Sequence, residues 1–178
     1  MAADTARLVR ALRIIVGTMA VGTLAFGGVV FALRSAGRGP PPDGPILTFL
    51  AAGLALMSLL MWPLLPRAVA TRGRRQIAKG EFLAPRQSGW LAELAATEEG
   101  SLLLLYQTCT ILGAAALEGA ALFACVAYLI EGVPWSLVLG VCLAGLMLVF
   151  ELPSRARAES WVSAQRRLLA EERSLPLQ

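Results

Sequence analysis

The sequence predicts an all-α membrane protein, a four-helix transmembrane bundle with both termini in the cytoplasm and an amphipathic C-terminal helix. Composition is the first observation: 57% of the 178 residues are hydrophobic and 16% are charged, with a mean hydropathy of +0.66. Soluble domains are about 25% charged. The second observation is that the apolar residues fall in four long blocks, and the third is that all 16 basic residues lie outside these blocks.

The four blocks have the lengths expected of membrane spans. Residues 14–33 and 46–65 are uncharged, and about 20 apolar residues suffice for a helix to cross a hydrocarbon core of about 30 Å. The third block, residues 102–130, contains one acid, Glu118, and no base. It exceeds the thickness of the core, so we expect it to tilt or to protrude. The fourth block, residues 134–152, begins with a proline, which suits the first turn of a helix.

The connections between the blocks predict the orientation. Three arginines precede the first block, six basic residues lie between the second and third, and five follow the fourth, against Arg34 and Arg38 on the other side. The positive-inside rule therefore predicts that residues 66–101 form a cytoplasmic loop. On the outer side, residues 131–134 make a tight turn in which Gly132 is expected to take the left-handed C-cap conformation.

The C-terminal tail, residues 153–178, has the periodicity of an amphipathic helix. One face carries Trp161, Val162, Leu168 and Leu169, and charged residues cover the rest. Two arrangements remain open from this pattern, because the helix either lies along the inner leaflet or continues the fourth span into the cytoplasm. In the first case it contacts the membrane surface or a partner, and in the second it is a solvated extension.

The cytoplasmic loop begins with a basic segment whose charges favour anionic lipid headgroups. Each basic residue near such a surface contributes about 1 kcal/mol. Nucleic acid is not expected as a partner, because the basic residues adjoin a span and do not alternate with aromatic residues. The candidate headgroup contacts are Arg67, Arg72, Arg74, Arg75 and Lys79.

One acid lies deep in the third block and requires an explanation. Glu118 is about 25 Å along the helix from Ser101, near the bilayer centre, where an acid costs roughly 2.5–3.5 kcal/mol. In a functional interpretation, Glu118 is a proton or ion site, with Gln107 on the same face. In a structural interpretation, its carboxyl donates a hydrogen bond to another span. The candidate acceptors are Thr18, Thr23, Thr48 and Ser58.

The composition also excludes several chemistries. The chain has no histidine, which excludes histidine general bases, Ser-His triads and HExxH metal sites. Its three cysteines, Cys109, Cys125 and Cys142, form no CxxC pair, so we expect no thiol redox centre. We therefore expect no enzymatic activity, no cofactor and no metal site.

Two resemblances involve the third block. Residues 116–130, ALEGAALFACVAYLI, resemble the carboxylate-bearing helix of rotary ATPase proteolipid subunits, which implies a proton site at Glu118. With residues 105–108, LYQT, and residues 128–132, YLIEG, the same segment looks like uncharacterised bacterial four-span membrane proteins. This second resemblance implies a multi-pass protein of the bacterial inner membrane and implies no activity.

These observations favour a small non-enzymatic membrane protein, an interaction or assembly component that presents basic cytoplasmic surfaces. The expected partners are anionic lipid headgroups and either a second copy of the chain or another membrane protein. The alternative is a proton- or ion-handling membrane subunit that uses Glu118.

Overall fold

The computed structural model describes residues 2–39, 44–79 and 90–174, and all elements in this part of the chain are helices. Four of them are long and apolar enough to cross a membrane, which confirms the predicted all-helical fold with four candidate spans. These four are the helices Ala2–Ser35, Ile46–Lys79, Glu98–Glu131 and Pro134–Glu151. The helices are α1 (Ala2–Ser35), α2 (Ile46–Lys79), α3 (Trp90–Ala95), α4 (Glu98–Glu131), α5 (Pro134–Glu151) and α6 (Arg155–Ser174).

Three of the candidate spans are longer than the apolar blocks that predicted them. Helices α1, α2 and α4 have 34 residues each, or about 51 Å at 1.5 Å per residue. Helix α2 passes through Pro66, so the first part of the predicted loop, residues 66–79, is helical. Ala70 and Ile77 in this part are buried, and their packing offsets the hydrogen bond that Pro66 cannot donate. The predicted loop residues 80–89, with Arg86, lie outside the described residues.

The helix ends carry local capping signals. Thr97 Oγ1 accepts a hydrogen bond from the backbone N–H three residues on, at 3.0 Å, and caps α4. Ser154 Oγ does the same for α6 at 3.1 Å. Gly37 ends α1 and Gly132 ends α4 with φ values of 71° and 70°. The left-handed conformation predicted for Gly132 is therefore confirmed.

The chain divides into two compact units. Unit 1 comprises the described residues within Met1–Arg13, Leu65–Ile111 and Pro153–Gln178, and unit 2 those within Ile14–Leu64 and Leu112–Leu152. All described basic residues except Arg34 and Arg38 belong to unit 1. The boundaries between the units fall within one residue of the ends predicted for the first, second and fourth spans.

Unit 2 is an apolar bundle whose most buried helix is α4. Half of the apolar window of α4 is buried, against 17% for α2. Small residues, among them Ala55, Ala120 and Ala121, allow the helices to pack closely. The outward faces are apolar as well, as expected for contact with lipid. Large side chains on these faces include Val21, Val29 and Phe31 of α1, Phe49, Leu56 and Leu60 of α2, and Trp135 and Val149 of α5.

Unit 1 has a hydrophobic core of its own, which α6 completes. Val162 and Leu169 of α6 are 5% and 1% exposed, and the rings of Tyr106 and Trp161 lie 5.4 Å apart. Leu168 remains 39% exposed, because it lies about 100° around the helix from Leu169. Other core residues include Leu8 and Leu12 of α1, Ala70 and Ile77 of α2, Leu102 and Leu105 of α4, and Ala158 of α6.

Candidate functional site

Glu118 lies on α4 in unit 2, half-buried, and its carboxyl makes no hydrogen bond within the described part of the chain. The neighbouring Ala115 and Gly119 are exposed, and a Cβ built on Gly119 would meet no atom within 4 Å. Gln107 belongs to unit 1 and lies about 16 Å earlier along α4. The grouping of Glu118 with Gln107 in one site stays a prediction.

The hydroxyl partners expected for Glu118 are engaged elsewhere. Thr18 donates to the carbonyl of Ile14 at 2.9 Å, and Thr23 donates to that of Met19 at 3.0 Å, each within α1. Thr48 bonds to Glu131 instead. No hydrogen bond joins Ser58 to the Glu118 carboxyl among the described residues. None of these hydroxyls is therefore hydrogen-bonded to the Glu118 carboxyl in the described part of the chain.

A different acid, Glu131, has a full set of partners at one end of unit 2. Its side chain is 5% exposed and accepts hydrogen bonds from the backbone N–H groups of Leu47 and Thr48, the latter at 2.8 Å. The Thr48 hydroxyl donates to it at 2.6 Å and lies 2.7 Å from the Ser136 hydroxyl. The carboxyl thus satisfies free N–H groups in the first turn of α2, where a negative charge is favoured.

Arg34 stabilises the same end of unit 2. Its guanidinium donates to the carbonyl of Leu129 at 3.2 Å and to that of Ile130 at 3.5 Å. These carbonyls belong to the last turn of α4, where a cation is favoured. A Cβ on Gly132 would meet the Arg34 side chain. The sequence identified Arg34 by its side of the membrane and gave no sign of this capping contact.

A third acid joins three helices of unit 2. The indole N–H of Trp62 on α2 donates a hydrogen bond to Glu151 on α5. The carboxylate lies against Gly113 of α4, where a Cβ would approach Glu151 Oε1 to 2.8 Å. The Trp62 ring also packs edge-on against Phe150, with centroids 5.4 Å apart. A glycine at position 113 therefore provides the space that the carboxylate occupies.

Arg74, one of the five predicted headgroup contacts, is occupied by protein groups of unit 1. Its Nε and Nη2 donate to Glu172 Oε1 at 2.9 and 2.7 Å, and its Nη1 donates to Gln165 Oε1 at 2.9 Å. The Arg74 side chain is 12% exposed. Helix α6 therefore supplies acceptors for the Arg74 guanidinium, and the predicted contact of Arg74 with a lipid headgroup stays a prediction.

The other four predicted contacts remain exposed on α2. Arg67, Arg72 and Arg75 border an open recess of about 570 Å³ together with Ala68 and Thr71. These three guanidinium groups make no ion pair or hydrogen bond to any other described residue. Lys79, at the end of α2, is exposed and does not line the recess.

Other charges of unit 1 are paired across its helices. Arg166 of α6 lies 3.2 Å from Glu99, and Arg173 lies 2.8 Å from Glu98. These pairs join α6 to the first turn of α4. Within the described residues, no group of three Cys, Asp or Glu side chains is placed to hold a metal ion.

Comparisons with known proteins identify no relative of this chain. No protein-family model matches the chain, and neither a curated protein nor a solved structure shows significant similarity to it.

Proposed function

We propose that the chain is a non-enzymatic interaction component of the bacterial inner membrane, with both termini and unit 1 on the cytoplasmic side. One observation carries this proposal: segments of three candidate spans and the whole of α6 build a separate folded unit that holds nearly all described basic residues. The resemblance to bacterial four-span membrane proteins is consistent with this location.

Helix length supports the same reading. Each of α1, α2 and α4 is about 51 Å long, whereas the hydrocarbon core is about 30 Å thick. An upright helix of this length leaves about 20 Å outside the hydrocarbon. The extra portions of α1 and α2 carry arginines, which favour the cytoplasmic face, whereas α4 contains no basic residue and begins with Glu98 and Glu99. The extension of three spans into a folded unit provides a structured surface to which a partner can bind. A protein that served only as a membrane anchor would not require such a surface.

The expected partners are anionic headgroups and a protein in the same membrane, either a second copy or another chain; nucleic acid is not proposed as a partner. Helix α6 contributes an outer face rich in charged residues, while its inner face is buried in the core of unit 1. We infer that this amphipathic helix completes the cytoplasmic unit and presents its charged face to the partner.

Topology and association together test the proposal. A reporter active only in the cytoplasm, fused after Ser174, should give signal, and a periplasmic reporter at the same position should give none. Cross-linking in native membranes, followed by native mass spectrometry in a mild detergent, should detect a stable homo-oligomer or complex. A periplasmic tail would refute the orientation, and monomers alone would refute the assembly role.

A second candidate function, proton or ion handling, rests on Glu118. It is favoured by a half-buried carboxyl that lacks a described hydrogen bond and lies beside the exposed Ala115 and Gly119. If Glu118 carries protons or ions, Glu118→Gln should abolish flux into liposomes that contain the purified protein. Glu159→Gln, at an exposed acid of α6, should leave flux unchanged. Equal flux in the wild type and Glu118→Gln would eliminate this candidate.

A further inference from the structure

The basic segment of α2 contains two kinds of arginine. Arg74 forms an ion pair with Glu172 and also donates a hydrogen bond to the amide oxygen of Gln165. Arg67, Arg72 and Arg75 lie on the same segment, are exposed, and make no ion pair or hydrogen bond to other residues that the structure describes. Three unneutralised like charges on adjacent turns repel one another. An anion between them would relieve this repulsion.

The spacing of these arginines creates room for such an anion. Arg67, Thr71 and Arg75 follow one another at intervals of four residues, and Ala68 and Arg72 form the neighbouring row. Residues four apart lie on the same face of a helix. The short side chains of Ala68 and Thr71 leave the floor of the recess open between the long arginines, and the recess measures about 570 Å³.

The chemistry of the lining selects the ligand class. Guanidinium groups bind phosphate oxygens with paired hydrogen bonds, which makes arginine well suited to recognise phosphate. The Thr71 hydroxyl is already directed to the carbonyl of Arg67 at 2.9 Å, and no acid lines the recess. We propose that Arg67, Arg72 and Arg75 form a binding site for a phosphate-bearing anion.

The position of the site along α2 favours the headgroup of an anionic phospholipid as the source of that phosphate. Arg67 is the first charged residue after the apolar block, and Arg75 lies about 12 Å further along the helix. The headgroup layer extends roughly 5–7 Å beyond the hydrocarbon, within reach of the arginine side chains. This inference deepens the proposed function, because it rests on a cytoplasmic unit 1 and names the lipid chemistry.

Lipid binding to the delipidated full chain in neutral detergent tests the site, with phosphatidylglycerol titrated and bound lipid counted by native mass spectrometry. Changing Arg67, Arg72 and Arg75 together to Gln should weaken binding by about fivefold per arginine, or roughly a hundredfold in all. The matched control changes Arg155, Arg157 and Arg167 of α6 to Gln. It removes the same charge and should lose less than about fivefold, because these arginines do not line the recess and exposed charges are screened by salt.

Two further arms identify the source of the phosphate. If the natural ligand is a free anion, inorganic phosphate at submillimolar concentration should displace the lipid; if it is a lipid, phosphate should not displace it. Phosphatidylcholine, which has no net charge, should bind weakly in either case. Equal losses in the two triple variants, or unchanged binding in the Arg67/Arg72/Arg75 variant, would overturn the site.

Controls separate a local effect from misfolding and from failure of the wider proposal. The three side chains are exposed, so the triple variant should keep the far-UV spectrum and unfolding midpoint of the wild type. The single variant Arg72→Gln, with an expected loss of about fivefold, provides a milder test. A periplasmic tail reporter would refute the proposed topology, whereas a cytoplasmic reporter with unaltered lipid binding would refute this inference alone.

Discussion

The ion pair between Arg74 and Glu172 should contribute measurably to stability, because it joins α2 to α6 in a partly buried environment. The side chains are 12% and 27% exposed, and Glu172 Oε1 accepts two hydrogen bonds from the guanidinium. Exposed pairs contribute about 0.2–1 kcal/mol, and breaking a fully buried pair costs about 3–5 kcal/mol. Glu172 Oε2 is buried with no hydrogen-bond partner among the described residues, which reduces the net stabilisation that the ion pair provides. We expect a coupling energy of about 1–2 kcal/mol.

A double-mutant cycle measures this coupling directly. Arg74→Ala, Glu172→Ala and the double variant would be unfolded reversibly in mixed micelles, with helix content as the signal. The matched cycle uses Arg155 and Glu159, a pair four residues apart on α6 whose side chains are 54% and 51% exposed. That pair should couple by about 0.3–0.5 kcal/mol. If the two cycles give the same small coupling, α6 does not enclose Arg74 as described.

Three further changes test the packing of single elements. Leu169→Ala should lower the free energy of unfolding by about 2–4 kcal/mol, because Leu169 is 1% exposed. Leu168 is 39% exposed, so Leu168→Ala should lower it by under about 1 kcal/mol in the same unfolding assay. Equal losses would refute the assigned buried face of α6. Gly140→Ala should be less stable than Gly145→Ala by about 1–2 kcal/mol. A Cβ at position 140 would lie 3.0 Å from the Ala121 carbonyl oxygen, whereas a Cβ at position 145 would have no atom within 4 Å. A Gly140→Ala variant that is the more stable of the two would contradict this contact. Glu131→Ala should lower the unfolding temperature and speed hydrogen exchange at Leu47 and Thr48, whose N–H groups lose their acceptor. Unchanged exchange at these two residues would show that Glu131 does not cap α2.

The sequence predicted those features that depend on local composition. Apolar blocks of about 20 residues predict spans through the thickness of the hydrocarbon alone, and four helices in the described part of the chain are long and apolar enough to be those spans. The end of α4 was also predictable, because glycine after a helix readily adopts the positive φ that Gly132 shows.

The sequence could not predict contacts between distant segments. Arg74 meets Glu172 across 98 positions, and Glu131 meets Thr48 across 83. Hydrophobic periodicity does not specify which helix a polar side chain will face. Arg74 was therefore grouped with neighbouring arginines that remain exposed, and Glu131 was treated only as part of a turn. The helical extension of α2 past Pro66 also depends on tertiary packing, which outweighs local propensity.

The way in which unit 1 is assembled has a consequence for biosynthesis. Its first segment ends at Arg13, its second lies between Leu65 and Ile111, and α6 comes only after α5. During translation, the core of unit 1 lacks the apolar side chains of α6 until that helix has been synthesised. A chain that ends before Arg155 would lack Val162 and Leu169, which complete the core of unit 1, and its exposed apolar surface would make it prone to aggregation.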